Sequence, residues 1–171
     1  MRSLKLALLA TAAVAAFSSA AAAADLIIDY PIEQPIIDNS FSFDGAYIGA
    51  FVQGQTTPAA FGLGVNLGVN ALMDGLLIGG ELSGYVGTNL DTASLQGTVK
   101  LGGAITDDAI VYAYSGLGTA HPTSYYVPVG IGAEVAVADN VSIKGELQYN
   151  FDLTSQAENS VAARVGLNFH F

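Results

Sequence analysis

From Asp44 onward, apolar residues alternate with small or polar ones at a period of two, the signature of β-strands with one oily face. In FGLGVNLGVNA, Phe61, Leu63, Val65, Leu67, Val69 and Ala71 share one face, while Gly62, Gly64, Asn66, Gly68 and Asn70 share the other. The same split recurs in stretches starting at Asp44, Leu76, Ala93, Ala109, Tyr125, Val141 and Ser160, which predicts eight strands. No stretch sustains the 3.6-residue period of an amphipathic helix. Tight connections (MDG, TDD, ADN) alternate with longer ones (QTTPAA, TNLD, TAHPTS, TSQAEN). Turn-forming residues at that spacing predict successive hairpins in an up-and-down meander.

The oily face carries Val, Leu, Ile, Ala, Gly and Phe, with Ser115 its one clearly polar member and no charge. Every charged strand residue falls on the opposite face: Glu81, Lys100, Glu134, Lys144, Glu146, Asp152 and Arg164. Were that polar face turned to water, it would fall short of the roughly 25–35% charge of a soluble exterior. The inside of an eight-stranded barrel is also too narrow for Leu, Val and Phe from every strand, but it accepts Gly packed beside Tyr. Gly49, Gly62, Gly64, Gly102, Gly130, Gly132 and Gly166 would make room for Tyr47, Tyr85, Tyr112 and Tyr114. Strands of about ten residues tilted near 40° rise roughly 25 Å, the height of an outer-membrane apolar band. A Lys or Arg facing lipid at mid-bilayer costs about 2–4 kcal/mol, a physical cause for the absence of charge on that face. Residues 44–171 are therefore expected to form an all-β, eight-stranded antiparallel up-and-down transmembrane β-barrel.

The residues before the barrel change this picture. MRSLKLALLATAAVAAFSSAAAAA sets Arg2 and Lys5 ahead of an apolar run and small residues, which reads as a signal peptide over 1–24 cleaved after Ala24. Residues 25–43, DLIIDYPIEQPIIDNSFSF, are broken by prolines and acids and read as a flexible acidic periplasmic leader. After cleavage three cations, Lys100, Lys144 and Arg164, face fifteen carboxylates, a formal net charge of −12. That balance excludes nucleic acid as a partner. The chain has no Cys.

Three segments resemble the small eight-stranded OmpA/OmpX-type outer-membrane barrels, and most closely the alphaproteobacterial opacity-like surface barrels: DGAYIGAFVQGQ, VPVGIGAEVAVADNVSIKGELQY and the terminal RVGLNFHF. The last is similar to the family's assembly signal, with Arg164, Gly166, Phe169 and Phe171 in its polar, glycine, hydrophobic and final aromatic places. The resemblance implies a monomer in the Gram-negative outer membrane, delivered to the barrel assembly machinery through its last strand and in contact with lipid and lipopolysaccharide. Alternate aromatic positions at a strand end also suit the headgroup level of a membrane.

Six lumen charges, Glu81, Lys100, Glu134, Lys144, Glu146 and Arg164, balance one another. Symmetric hairpins would set Glu81 against Lys100, Glu134 against Lys144 and Glu146 against Arg164. Buried charges persist when paired, so these predict a structural plug and a role in outer-membrane integrity. The alternatives are a narrow porin-like channel gated by exchange of the pairs, and surface interaction through the loops. Catalysis is not expected: His121 and Ser124 share the loop TAHPTS without triad spacing, and His170 falls at the other end of the barrel. Without Cys or clustered His no metal site is expected, and without a following helix the spaced glycines of DGAYIG and GLGVNLG predict no phosphate-binding loop or cofactor.

Overall fold

The computed structural model describes residues 41–57, 59–88, 92–121, 124–154 and 159–171. The expected signal peptide, 1–24, and residues 25–40 of the expected leader lie outside these. Eight strands follow one another: β1 Gly45–Thr56, β2 Ala59–Met73, β3 Leu76–Gly87, β4 Ala93–Thr106, β5 Ala109–Ala120, β6 Ser124–Ala138, β7 Val141–Asp152 and β8 Ser160–His170. Each pairs antiparallel with its neighbour, and β8 pairs with β1 from Tyr47↔His170 to Gln55↔Ala162, so the sheet is a closed barrel. Closure leaves no strand edge free.

Turn chemistry sets the register at one mouth. Met73 pairs with Leu76, and the two residues between them, Asp74 and Gly75, have φ of 50° and 82°. Positive φ at both positions is the backbone that Asp-Gly favours in a two-residue hairpin. The next two short connections each follow a register shift that leaves Ile105 or Val137 as an extra residue, the mark of a β-bulge. These three turns and the barrel's two chain ends share the short-turn mouth, and the other four connections share the loop mouth; the first of them, expected to be long, spans only residues 57–58 because β1 and β2 pair up to Thr56↔Ala59.

Alternation decides what faces outward. Phe61, Leu63, Val65, Leu67 and Val69 are all exposed, whereas Asn66 and Asn70 on the alternate positions are buried. The same inversion of a soluble protein's arrangement runs around the wall, with charged strand residues turned inward. Thr119 joins Ser115 on the outward face of β5.

The lumen is filled by rings lying over glycines. Tyr47 crosses Gly68, Tyr112 crosses Gly132, Tyr114 crosses Gly130, Tyr126 crosses Gly118 and Phe51 crosses Gly64, each so closely that a Cβ on the glycine would collide with the ring. Gly68 and Gly118 extend the set expected from sequence. Gly132→Val will therefore lower barrel stability by about 1–3 kcal/mol, the usual cost of overpacking. Urea unfolding in detergent checks it; an unchanged midpoint would mean Tyr112 is not wedged against β6.

Candidate functional site

Five of the six charged side chains, all but Glu134, meet in the lumen from inward positions on β3, β4, β7 and β8. Glu81 Oε2 is the hub. Lys100 Nζ lies 2.7 Å from it, Lys144 Nζ 2.8 Å, and Tyr47 Oη donates to it at 2.8 Å. Lys100 also donates to Tyr47 Oη at 2.7 Å and stands 4.7 Å from the Tyr112 ring centre. Glu146 is held more loosely, with Lys144 Nζ and Arg164 Nη1 each 3.8 Å away, and with Tyr112 Oη donating at 2.8 Å. Arg164 turns its Nε to Gln53 Oε1 at 2.6 Å and its guanidinium over the Phe51 ring at 5.0 Å. Lys100 and Lys144 are each only 1% exposed, so pairing must offset the loss of their hydration.

The pairing differs in detail from that expected of simple hairpins. Glu81 sits opposite Thr98 and Lys100 opposite Gly79, two residues out of register, yet the lysine stem spans the diagonal. Glu146 and Arg164 do sit opposite each other. Glu134 and Lys144 are also directly opposite, but they part: Lys144 reaches across the lumen to Glu81. Glu134 is bound instead by Ser142 Oγ, by Asn168 Nδ2 at 2.9 Å and by His170 Nε2 at 3.0 Å. Sequence reasoning left His170 without a partner, although its inward position on β8 was readable.

A second polar layer crosses the lumen on the loop side. Gln96 and Gln148, from β4 and β7, exchange two amide hydrogen bonds at 3.2 Å across the interior. Tyr114 Oη donates to Gln148 Oε1 at 3.2 Å and Tyr126 Oη to Gln96 Oε1 at 3.1 Å. These residues escaped a search by charge; their inward parity was the only signal for them.

Towards the short-turn mouth an apolar cluster fills part of the lumen, with Leu77, Ile110, Tyr112 and Phe43 packed together. Phe41 and Phe43 fall in the stretch assigned to the leader, but they pack on the barrel, so the packed region begins before Asp44.

His121 is exposed, and Ser124 Oγ donates to Asp152 Oδ2 at 2.9 Å. Ser142, His170 and Glu134 do meet, but Ser142 Oγ and Glu134 Oε1 both address the same imidazole nitrogen, Nε2, at 3.1 and 3.0 Å. A nucleophile–base–acid relay needs the serine on one ring nitrogen and the acid on the other. Among the described residues no three His, Asp or Glu side chains group as a metal site.

On the terminal strand Arg164 and Gly166 face the lumen, and Phe169 and Phe171 face outward with ring centres 5.3 Å apart. Phe171 N donates to Ala46 O at 3.0 Å, which ties the chain end to β1. At the loop mouth Phe61, Tyr125, Tyr149 and Phe151 also face outward. Outward aromatics thus flank the apolar band at both ends, as in membrane barrels.

No protein-family model matches the chain, and no curated protein matches it. Solved structures do. A computationally designed transmembrane β-barrel superposes with a TM-score of 0.57 at 12% identity, covering 74% of this chain and 95% of that one. The outer membrane enzyme PagL gives 0.57 at 14% identity, covering 73% and 99%. The N-terminal β-barrel domain of Pseudomonas aeruginosa OprF gives 0.53 at 18% identity, covering 74% and 98%. At these identities the likeness concerns the fold, and the chain has the fold of the small eight-stranded outer-membrane barrels.

Proposed function

We propose that this chain is a structural protein of the bacterial outer membrane, exported by a cleaved signal peptide and carrying no catalytic activity. In this reading it inserts as a monomer, with its girdles of outward aromatics against lipid and lipopolysaccharide. Arg164, Gly166 and Phe169 on β8, with Phe171 just after it, engage the barrel assembly machinery. The observation that carries the reading is the filled lumen: three donors converge on Glu81, and the Gln96–Gln148 pair spans the interior beyond them. A packed, charge-balanced interior is what a supporting wall needs, and it argues against an open water path.

One observation favours a second reading, a narrow gated channel of the porin-like kind. Lys144 stands between Glu81 and Glu146, at 2.8 and 3.8 Å, so a small swing would exchange its partner. Surface interaction is the weaker alternative, since the longest connection between strands spans only 153–159.

The test is one preparation with two readouts. Refolded into lipid, the chain is expected to migrate faster unboiled than boiled on a detergent gel, and to add no resolvable conductance to a planar bilayer. Folding in plain buffer without such a shift would overturn the membrane assignment. Steady conductance from a heat-modifiable barrel would replace the structural reading by the channel.

A further inference from the structure

The group at the centre of the apolar end of the lumen comes from no strand. Leu77 and Ile110 point inward near the starts of β3 and β5, and Leu72 and Ala136 near the ends of β2 and β6. What fills the space among them is Phe43, two residues ahead of β1 and 1% exposed. Phe41 packs beside it with ring centres 4.7 Å apart, and lies 4.9 Å from the ring of His170. The segment is also fixed by polar contacts, since Asp44 Oδ1 accepts from Leu72 N at 3.0 Å and Asp44 N donates to Ser42 Oγ at 3.2 Å. Gly45, where β1 begins, has φ of 109°, a conformation that glycine adopts readily and other residues resist.

We propose that Phe41 and Phe43 form a stopper seated in the short-turn mouth of the barrel, shielding the buried Glu134–His170 pair from water on that side. The inference rests on the closed-lumen reading and adds to it a seal separate from the charged belt. Three features support a seat built for these rings rather than a chance contact. The strands line it with the aliphatic side chains of Leu72, Leu77, Ile110 and Ala136 at inward positions. Phe41 meets His170 edge to face, a favoured ring geometry. The acid next to the rings is bonded to the backbone of β2. Displacing the stopper would expose to water a carboxylate whose Oε1 already collects three partners.

The chain has neither Cys nor Trp, so single reporters are unambiguous. Phe43→Trp keeps a bulky ring in the seat. In the full chain refolded in micelles it should emit at short wavelength, and both aqueous iodide and brominated detergent should fail to quench it. Strong quenching by iodide would mean the segment hangs in water, and strong quenching by brominated detergent that it lies along the outside; either overturns the stopper.

The second test labels Ala136→Cys with a charged, water-soluble thiol reagent. Replacing both Phe41 and Phe43 by Ala should raise its rate by about tenfold, as expected when a buried site opens locally. Phe43→Leu should leave the rate nearly unchanged, and so should a Ser94→Cys reporter at the opposite mouth in every background. An unchanged rate at position 136 in a heat-modifiable double-Ala barrel would overturn the stopper. Bilayer conductance from a barrel whose substituted ring at position 43 stays shielded would remove the closed-lumen reading and the seal with it, whereas an iodide-quenched ring in a barrel that stays silent would remove the stopper alone.

Discussion

Replacing Lys144 by Met will cost the folded barrel about 3–5 kcal/mol, the usual penalty for leaving a buried charge without its partner. Lys144 holds Glu81 at 2.8 Å and lies 3.8 Å from Glu146, so its loss weakens two carboxylates at once and leaves the belt with an unbalanced negative charge. The methionine has similar volume and little packing effect. Adding Glu146→Gln restores the charge balance and should recover a large part of the loss, giving a coupling that a double-mutant cycle reads directly. Urea unfolding of the single and double variants in one detergent measures both. If Lys144→Met alone leaves the midpoint where it was, the belt does not hold the barrel together.

Leu147→Arg tests the outer face with a comparable effect. Leu147 sits mid-strand on β7, outward and 57% exposed, between Ile131 and Ala163 on the neighbouring strands. Surrounded by lipid, an arginine there should lower folding stability by about 2–4 kcal/mol. Surrounded by water, the same change at an exposed position would fall within about 0.5 kcal/mol. Reversible unfolding from bilayers distinguishes the two, and a neutral result would sink the membrane assignment irrespective of any likeness in fold.

The fold was largely legible because one physical rule acts along the whole barrel. Side chains alternate across a sheet, and a narrow lumen and a lipid exterior tolerate different residues, so composition separates the two faces at every strand. Strand starts at Leu76, Ala93, Ala109, Val141 and Ser160 fall where periodicity puts them. Those of β1, β2 and β6 differ by one or two residues, where Asp44, Phe61 and Tyr125 were read from pattern alone. The partners inside were less legible. Reading hairpins pairs neighbours, but in a barrel this narrow the opposite wall is within reach of a lysine, and Lys144 of β7 crosses to Glu81 of β3. Gln96 and Gln148 carry no charge to draw notice, and Phe43 precedes the alternation that made everything after it readable. His170 lies only six residues beyond Arg164 on the same face, yet its bond to Glu134 depends on the stagger of β6 against β8.

Closure of β8 on β1 also constrains the order in which the molecule can be built. Every other strand pairs with its neighbour in sequence, so seven of the eight seams can zip locally, while this last seam joins residues more than a hundred positions apart. Until it shuts, the inward sides of β1 and β8 have no opposite wall. Arg164 then lacks Gln53, and the backbone groups of both edges stand open to hydrocarbon, where each unsatisfied group costs several kcal/mol. Strand-by-strand entry into the bilayer would meet that cost at every intermediate. For a barrel that enters a bilayer as proposed, curling up and crossing the membrane have to be concerted, with the joining of β1 and β8 expected as the slow step.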